Sequence, residues 1–166
     1  DAGFDTTTTA SVDVVEEEVL ILEPAVVIED TVYAVLTGPG SVVEGETTTD
    51  YTVTLRDQDG TAVAVTQDTD VTITFANVTT EDGDYEFNNA ATKTVTITAT
   101  NSSITFTVDT NDDYLDEVSE DYTATITGVA DHDEFEALDY AGYTDTASTV
   151  HVNTQTTSIT DELTQG

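Results

Sequence analysis

The sequence predicts an all-β protein, an immunoglobulin-like antiparallel sandwich of about seven strands. Three observations predict it. Apolar residues alternate with Thr at a period of two through most of the chain. Turn-forming clusters interrupt the alternation at the spacing of short strands. No long stretch carries the 3.6-residue apolar repeat of an amphipathic helix.

The elements follow in order. A first strand covers Val32 to Thr37 and ends at the break Gly38-Pro39-Gly40. In the next, Tyr51, Val53 and Leu55 share one face and Thr52, Thr54 and Arg56 the other, before the turn Asp57-Gln58-Asp59-Gly60. Val71, Ile73 and Phe75 alternate with Thr72 and Thr74, and Glu81-Asp82-Gly83-Asp84 is a further break. Val95 and Ile97, then Ile104, Phe106 and Val108, then Tyr122, Ala124 and Ile126 repeat the pattern, each with Thr between. Val150 and Val152 repeat it near the end and put His151 on the opposite, outward face. Each strand offers one apolar face, so two stacked sheets make a core. The stretch Val14 to Ile28 is ambiguous, but its β-branched residues and Pro24 favour extended chain. Residues 1–30 read as a linker or edge-strand segment, 31–155 as the sandwich, and 156–166 as a polar, Thr-rich C-terminal linker. The chain opens on Asp1 rather than Met and reads as a piece of a longer protein.

Charge narrows the function. The 166 residues hold 35 Asp and Glu against two basic side chains, Arg56 and Lys93, for a formal charge of −33. That argues against nucleic acid, which needs clustered cations, and against anionic lipid. No apolar run is long enough for a membrane-spanning helix. There is no Cys, hence no disulfide and no thiolate metal site. With 37% hydrophobic residues, and with carboxylates gathered between apolar strands, the chain is unlike a disordered polyanion.

The sharpest constellation runs from Val108 to Glu120. Asp109, Asn111, Asp112, Asp113, Asp116, Glu117 and Glu120 offer side-chain oxygens between two well-patterned strands. Calcium takes about six to eight hard oxygen ligands in a flexible geometry, which loops supply better than sheets. A bound cation would also relieve repulsion that otherwise raises carboxylate pKa values. The spacing is not that of an EF-hand. The alternative is a solvated acidic loop. Glu44 and Glu46, flanking Gly45, precede the strand at Tyr51, and Asp57, Asp59, Asp68, Asp70, Asp82 and Asp84 flank other turns. In a sandwich, alternate loops meet at one end, so several could share an ion. The metal candidates are Asp109, Asp112, Asp113, Glu117 and Glu120, then Glu44 and Glu46. Glu29 and Asp30 are weaker candidates for an ion at the entry to the sandwich.

Catalytic readings find little support. Asp131-His132-Asp133-Glu134 is a poor zinc pattern, with one His among carboxylates. Neither a phosphate-binding Gly loop nor a G-x-S-x-G elbow occurs. Carboxylate pairs abound, but a glycosidase also needs aromatic sugar platforms, and Trp is absent. Tyr114, Tyr140 and Tyr143 are a thin substitute.

Three segments carry a resemblance. Val42-Val43-Glu44-Gly45-Glu46 leads into Tyr51-Thr52-Val53-Thr54-Leu55. Phe106-Thr107-Val108-Asp109 leads through Asp112-Asp113 to Glu120-Asp121-Tyr122-Thr123. Phe135-Glu136-Ala137-Leu138-Asp139 is followed by Ala147-Ser148-Thr149-Val150. Over residues 32–153 this order resembles the immunoglobulin-like, Calx-β-like extender repeats of giant bacterial repeats-in-toxin adhesins of the large adhesive protein type. The resemblance implies a calcium-stiffened arm outside a Gram-negative cell, exported by type I secretion. Its partners are then neighbouring domains of the same adhesin. Ala2-Gly3-Phe4-Asp5-Thr6 also resembles the segment that follows the N-terminal retention module. Family repeats often end in an Asp pair, and Asn153-Thr154 stands where that pair is expected. The Gly/Asp nonapeptide of β-rolls is missing.

The sequence thus reads as a monomeric, non-catalytic, calcium-stabilised extender module of a secreted cell-surface adhesin, serving attachment or biofilm formation. Two rivals stand beside it. One is a ligand-binding module for a glycan or a surface, ice included, using outward Thr rows. The other is the generic acidic surface of a halophile, stabilised by monovalent salt alone.

Overall fold

A computed structural model describes residues 31–113 and 115–161. Among these the chain forms eleven strands. They are β1 (Thr31–Thr37), β2 (Ser41–Val43), β3 (Tyr51–Arg56), β4 (Thr69–Asn77), β5 (Thr92–Ile97), β6 (Ser103–Phe106), β7 (Glu120–Val129), β8 (Ala137–Asp139), β9 (Tyr143–Thr144), β10 (Val150–His151) and β11 (Thr154–Thr160). One sheet runs β6-β3-β1-β8 and the other β2-β11-β7-β4-β5, while β9 and β10 make a separate ribbon. Pairing is antiparallel except for β1 with β8 and β11 with β2, short parallel pairs at sheet edges. This is the expected all-β immunoglobulin-like sandwich. The four strands beyond seven are pieces of two or three residues, too short to show a period.

The alternation does its work in the core. Val53 and Leu55 of β3 and Ala34 and Leu36 of β1 face Ile73 and Phe75 of β4 and Ala124 and Ile126 of β7, all fully buried. Burial of such apolar area is the main favourable term in folding. Toward one end the core turns aromatic. Phe75 stacks on Phe87, Tyr85 on Tyr122, and Tyr51 on Phe106. The buried Tyr hydroxyls are paired, as burial demands. Tyr51 and Tyr122 meet at 2.8 Å, Tyr51 also meets the Thr157 hydroxyl, and Thr157 donates to the Pro39 carbonyl at 2.8 Å. This chain of hydroxyls ties β3 of one sheet to β7 and β11 of the other. Gly38 makes room for it: a Cβ there would lie 2.3 Å from the Tyr51 ring.

Two expectations are corrected. The C-terminal boundary expected after residue 155 falls inside β11, a central strand whose Thr157 and Ile159 are buried. A hydroxyl that bonds Pro39 and Tyr51 lets Thr157 point inward where the pattern suggested polar linker. The faces near residue 151 are also reversed. Val150 and Val152 are 69% and 45% exposed, while the His151 side chain is only 16% exposed. An ion pair and a ring stack hold the imidazole inside. The expectations for residues 1–30 and for Tyr114 lie outside the described residues.

Candidate metal centre at the acidic end

Strand directions define two ends. β1, β2 and β11 run toward one end, where β3 and β7 begin. Three loops are sewn together there. The Thr48 amide donates to the Val108 carbonyl (2.9 Å), and the Val108 amide to the buried Thr48 hydroxyl (2.9 Å). The Thr110 amide and hydroxyl both reach the Glu46 carbonyl, at 3.0 and 2.8 Å. On the other side the Asn111 amide bonds the Asp84 carbonyl and the Glu86 amide the Asp109 carbonyl, both at 2.9 Å. The chain after β6 is thus strung between the turn after β2 and the loop between β4 and β5. Gly45 allows the tight first turn, with φ of +76°.

This stitching brings carboxylates together from four segments. Glu44, Asp84, Glu117, Glu120 and Asp161 line one cleft with Val118 and Ile159. The cleft is partly open to solvent, with a cavity volume of about 10 Å³, the lower limit for one water molecule. Glu44 accepts the Asp113 amide at 3.2 Å, and Asp113 in turn accepts the Leu115 amide at 2.9 Å. Glu120 opens β7 opposite Ile159, one residue pair before Asp161 leaves β11.

The electrostatics are those of anions with no counter-charge. Burial, then a hydrogen bond shared with Asp84, then the charges of Asp84, Glu117 and Glu81 push the Glu120 carboxyl up to about 7. Glu44 is raised by burial and by Asp113, Asp112 and Asp161, against the lowering effect of the Asp113 amide. Burial and then Asp113 and Asp84 raise Glu117. A hydrogen bond with Asp116, followed by burial, raises Asp161. Neither basic residue is at hand. Arg56 closes β3 at the opposite end, and Lys93 on β5 sits 5.4 Å from the Phe87 ring centre.

Of the residues singled out in the sequence, Glu44, Glu117 and Glu120 line the cleft, and Asp112 and Asp113 stand beside it. Asp109 and Glu46 are elsewhere. Asp109 Oδ1 accepts the Thr47 hydroxyl at 2.6 Å, and Glu46 contributes its backbone carbonyl to Thr110. Asp84 was legible only as one acidic turn among several. Asp161 was hidden by the misplaced boundary, although Asp161-Glu162 is an acidic pair directly after the last strand. The side chains that line the cleft are hard oxygen donors, the chemical class that calcium takes. Among the described residues, no three of His, Cys, Asp or Glu stand grouped to hold a metal ion.

No family model matches the chain, and no curated protein matches its sequence. Solved structures do match its fold. The apo-form Calx CBD1 domain superposes with a TM-score of 0.56 at 12% identity, covering 80% of this chain and 99% of that one. CBD12 from CALX1.2 gives 0.55 at 13% identity over 78% of this chain, and the calcium binding domain CBD12 of CALX1.1 gives 0.52 at 12% over 79%. The chain spans less than half of each CBD12 structure, 45% and 44%. These likenesses define a Calx-β-like immunoglobulin-like sandwich.

Proposed function

We propose that this domain is a non-catalytic structural module of a secreted bacterial cell-surface adhesin, stiffened by calcium at its acidic end. The observation that carries the reading is a cleft lined by Glu44, Asp84, Glu117, Glu120 and Asp161 with no basic residue nearby, whose carboxylates a cation would draw together. CBD12 of CALX1.1, which has a similar fold, is a calcium binding domain, and this supports the choice of ion. When bound, calcium would neutralise carboxylates that now repel one another, and so lock three loops and the end of β11. β11 ends at Thr160 and Asp161, directly after it, lines the same cleft, so stiffening there would pass to whatever follows. That is the service an extender gives its neighbours, and it needs no substrate site.

The test is thermal melting with chelator and with calcium titrated back, at fixed ionic strength. A ligand bound only by the folded state adds roughly 2.7 kcal/mol at a hundred times its dissociation constant. A transition that ignores calcium but follows potassium chloride would favour the halophile surface instead.

The outer face of the larger sheet supports a second reading, a surface-binding plane. Thr92, Thr74, Thr125 and Thr154 stand in register across β5, β4, β7 and β11. Hydroxyls of the row are partly satisfied, Thr125 by Thr154 at 3.0 Å within it and Thr74 by the neighbouring Thr127 at 2.7 Å. Such pairing suits a stable sheet more than an open binding plane. Sugar arrays and an ice-affinity assay on the intact domain decide between the two.

A further inference from the structure

Among the described residues, the large apolar side chains left exposed fall in two places. Val43, Val78, Leu115 and Val118 stand at the acidic end, among carboxylates. Tyr140, Val150 and Val152 stand on the crossing from β8 to β11, where the β9–β10 ribbon lies outside both main sheets. The ribbon is held to β1 and to the turn after β3. Tyr143 stacks on Tyr33 at 3.9 Å and donates its hydroxyl to the Asp57 carbonyl at 2.7 Å. The Leu36 amide donates to the Val152 carbonyl at 2.8 Å. His151 turns in to meet Asp145 at 2.9 Å, and the two-residue period of extended chain then turns Val150 and Val152 outward.

Beside Val150 and Val152 the ribbon forms an open groove of about 390 Å³, within the size range of binding pockets. Its walls include Tyr143 and His151 but no Asp or Glu. That sets it apart in a chain with 35 acids among 166 residues. An exposed apolar patch without charge calls for an apolar occupant.

The chain itself supplies one. Val19–Ile28 is its most apolar run, ten residues in which Glu23 is the one acid. The run ends three residues before β1 starts at Thr31, and β1 carries the Tyr33 ring on which the ribbon stacks. Ten extended residues reach roughly 33 Å, enough to pass along the ribbon from there. A tethered segment meets its site at about millimolar effective concentration. A second copy of the chain would bring a further charge of −33 against the first, and like-charged bodies repel. The apolar group at the acidic end is a poorer seat. It lies where β1 finishes rather than where it starts, and its carboxylates would oppose Glu16, Glu17 and Glu18 just ahead of the run.

We propose that Val19–Ile28 seats in this groove and covers Val150 and Val152. The chain entering the domain is then fastened to it by apolar contact, with no ion and no carboxylate of the acidic cleft involved.

The sequence contains no Trp, so a single Trp reports on the segment alone. Leu22→Trp and Val27→Trp, each made in the full chain, place the probe on either side of Pro24. At least one should emit toward the blue and resist quenching by acrylamide. Burial of each Val favours the seated state by about tenfold or more. Adding Val150→Asp and Val152→Asp should therefore move the emission to the red and raise quenching to that of Trp in a free peptide. The near-ultraviolet signal of Tyr51 and Tyr122 should be kept, since both substituted residues are exposed. If that pair fails to fold, Val150→Asn with Val152→Asn puts the same question without added charge. Solvated emission from both probes with the groove intact overturns the proposal, and so does blue emission that survives the groove substitutions. Blue emission lost on dilution would mean that a second copy fills the groove, and also overturns it.

Discussion

At one end of the sandwich Asp57 Oδ1 accepts the amides of Asp59 and Thr61, at 3.0 and 2.8 Å, and Asp145 Oδ1 accepts those of Ala147 and Thr149 in the same i+2, i+4 pattern. At the other end Glu120 shares its hydrogen bond with a second carboxyl group, Asp84. The residue types are alike, but their surroundings differ. A carboxylate surrounded by donors is stabilised as an anion and sits low, as Asp145 does. A carboxylate surrounded by carboxylates sits high, as Glu120 does at about 7. The first arrangement is complete without an ion. The second has no positive charge beside it, which explains why an acidic count alone could not separate turn-makers from mutually repelling carboxylates.

The largest effect expected from this contrast is that of calcium. Titrated to a hundred times its dissociation constant at pH 8, it should raise the melting temperature by roughly 10 °C. The tyrosine cluster around Tyr85 and Tyr122 gives a near-ultraviolet signal to follow. Magnesium should do less, since it keeps its waters and demands stricter geometry. Equal response to both ions, or to neither, would dissolve the distinction between the ends.

Next comes pH in chelator. The folded Glu120 carboxyl titrates near 7, against an ordinary 4.5 in the unfolded chain. Between those values the folded state holds more protons. Its contribution is therefore fully present below about 4.5 and lost as pH rises through about 7, with Glu44, Glu117 and Asp161 acting in the same direction. Asp145 has the opposite sign, since its lowered value gives stability that is lost on acidification below the ordinary carboxylate range. The calcium-free domain should melt several degrees lower at pH 8 than at pH 5, and saturating calcium should flatten that slope. Glu120→Gln should do part of the same without the ion, raising the chelated domain's melting temperature at pH 8 by about 4 °C while weakening the calcium response.

The fold was legible where burial made a period. Six of the expected strands, β1 and β3 to β7, carry at least two apolar residues two positions apart, and the structure places them in the two sheets. β11 was illegible because its inward positions include Thr157, whose burial depends on Pro39 and Tyr51, more than a hundred residues away. Its loss also hid Asp161. His151 misled for a related reason. Its partner lies six residues back across a hairpin, and pairing outweighed the apolar pattern of Val150 and Val152. Glu44, Glu117 and Glu120 could be named because clustered acids between strands are visible in one dimension. Which acids faced one another was set by backbone bonds from Thr48, Thr110 and Asn111 to loops far off in sequence.

A smaller effect separates the ends by mutation. Asp57→Ala leaves two turn amides without their acceptor, at a cost of about 1 kcal/mol and roughly 4 °C. The calcium-induced shift in the same variant should be unchanged, because sites this far apart act additively. A diminished calcium shift would mean that the donor-rich end and the donor-poor end are one coupled unit.

The smallest expected effect lies in the tight turn between β5 and β6. Thr100 has φ of +74°, a region where a β-branched residue crowds its own backbone. The conformation is held because its amide donates to the Val65 carbonyl at 2.7 Å, joining the turn to a buried residue. Glycine adopts this φ without the clash but gives the unfolded chain more freedom, so the two contributions largely offset. Thr100→Gly should therefore gain only about 0.5 kcal/mol, or about 2 °C, equally with calcium and with chelator. A gain confined to the calcium-free domain would place this turn in the same strain system as the repelling carboxylates, and the division of the sandwich into two independent ends would fail.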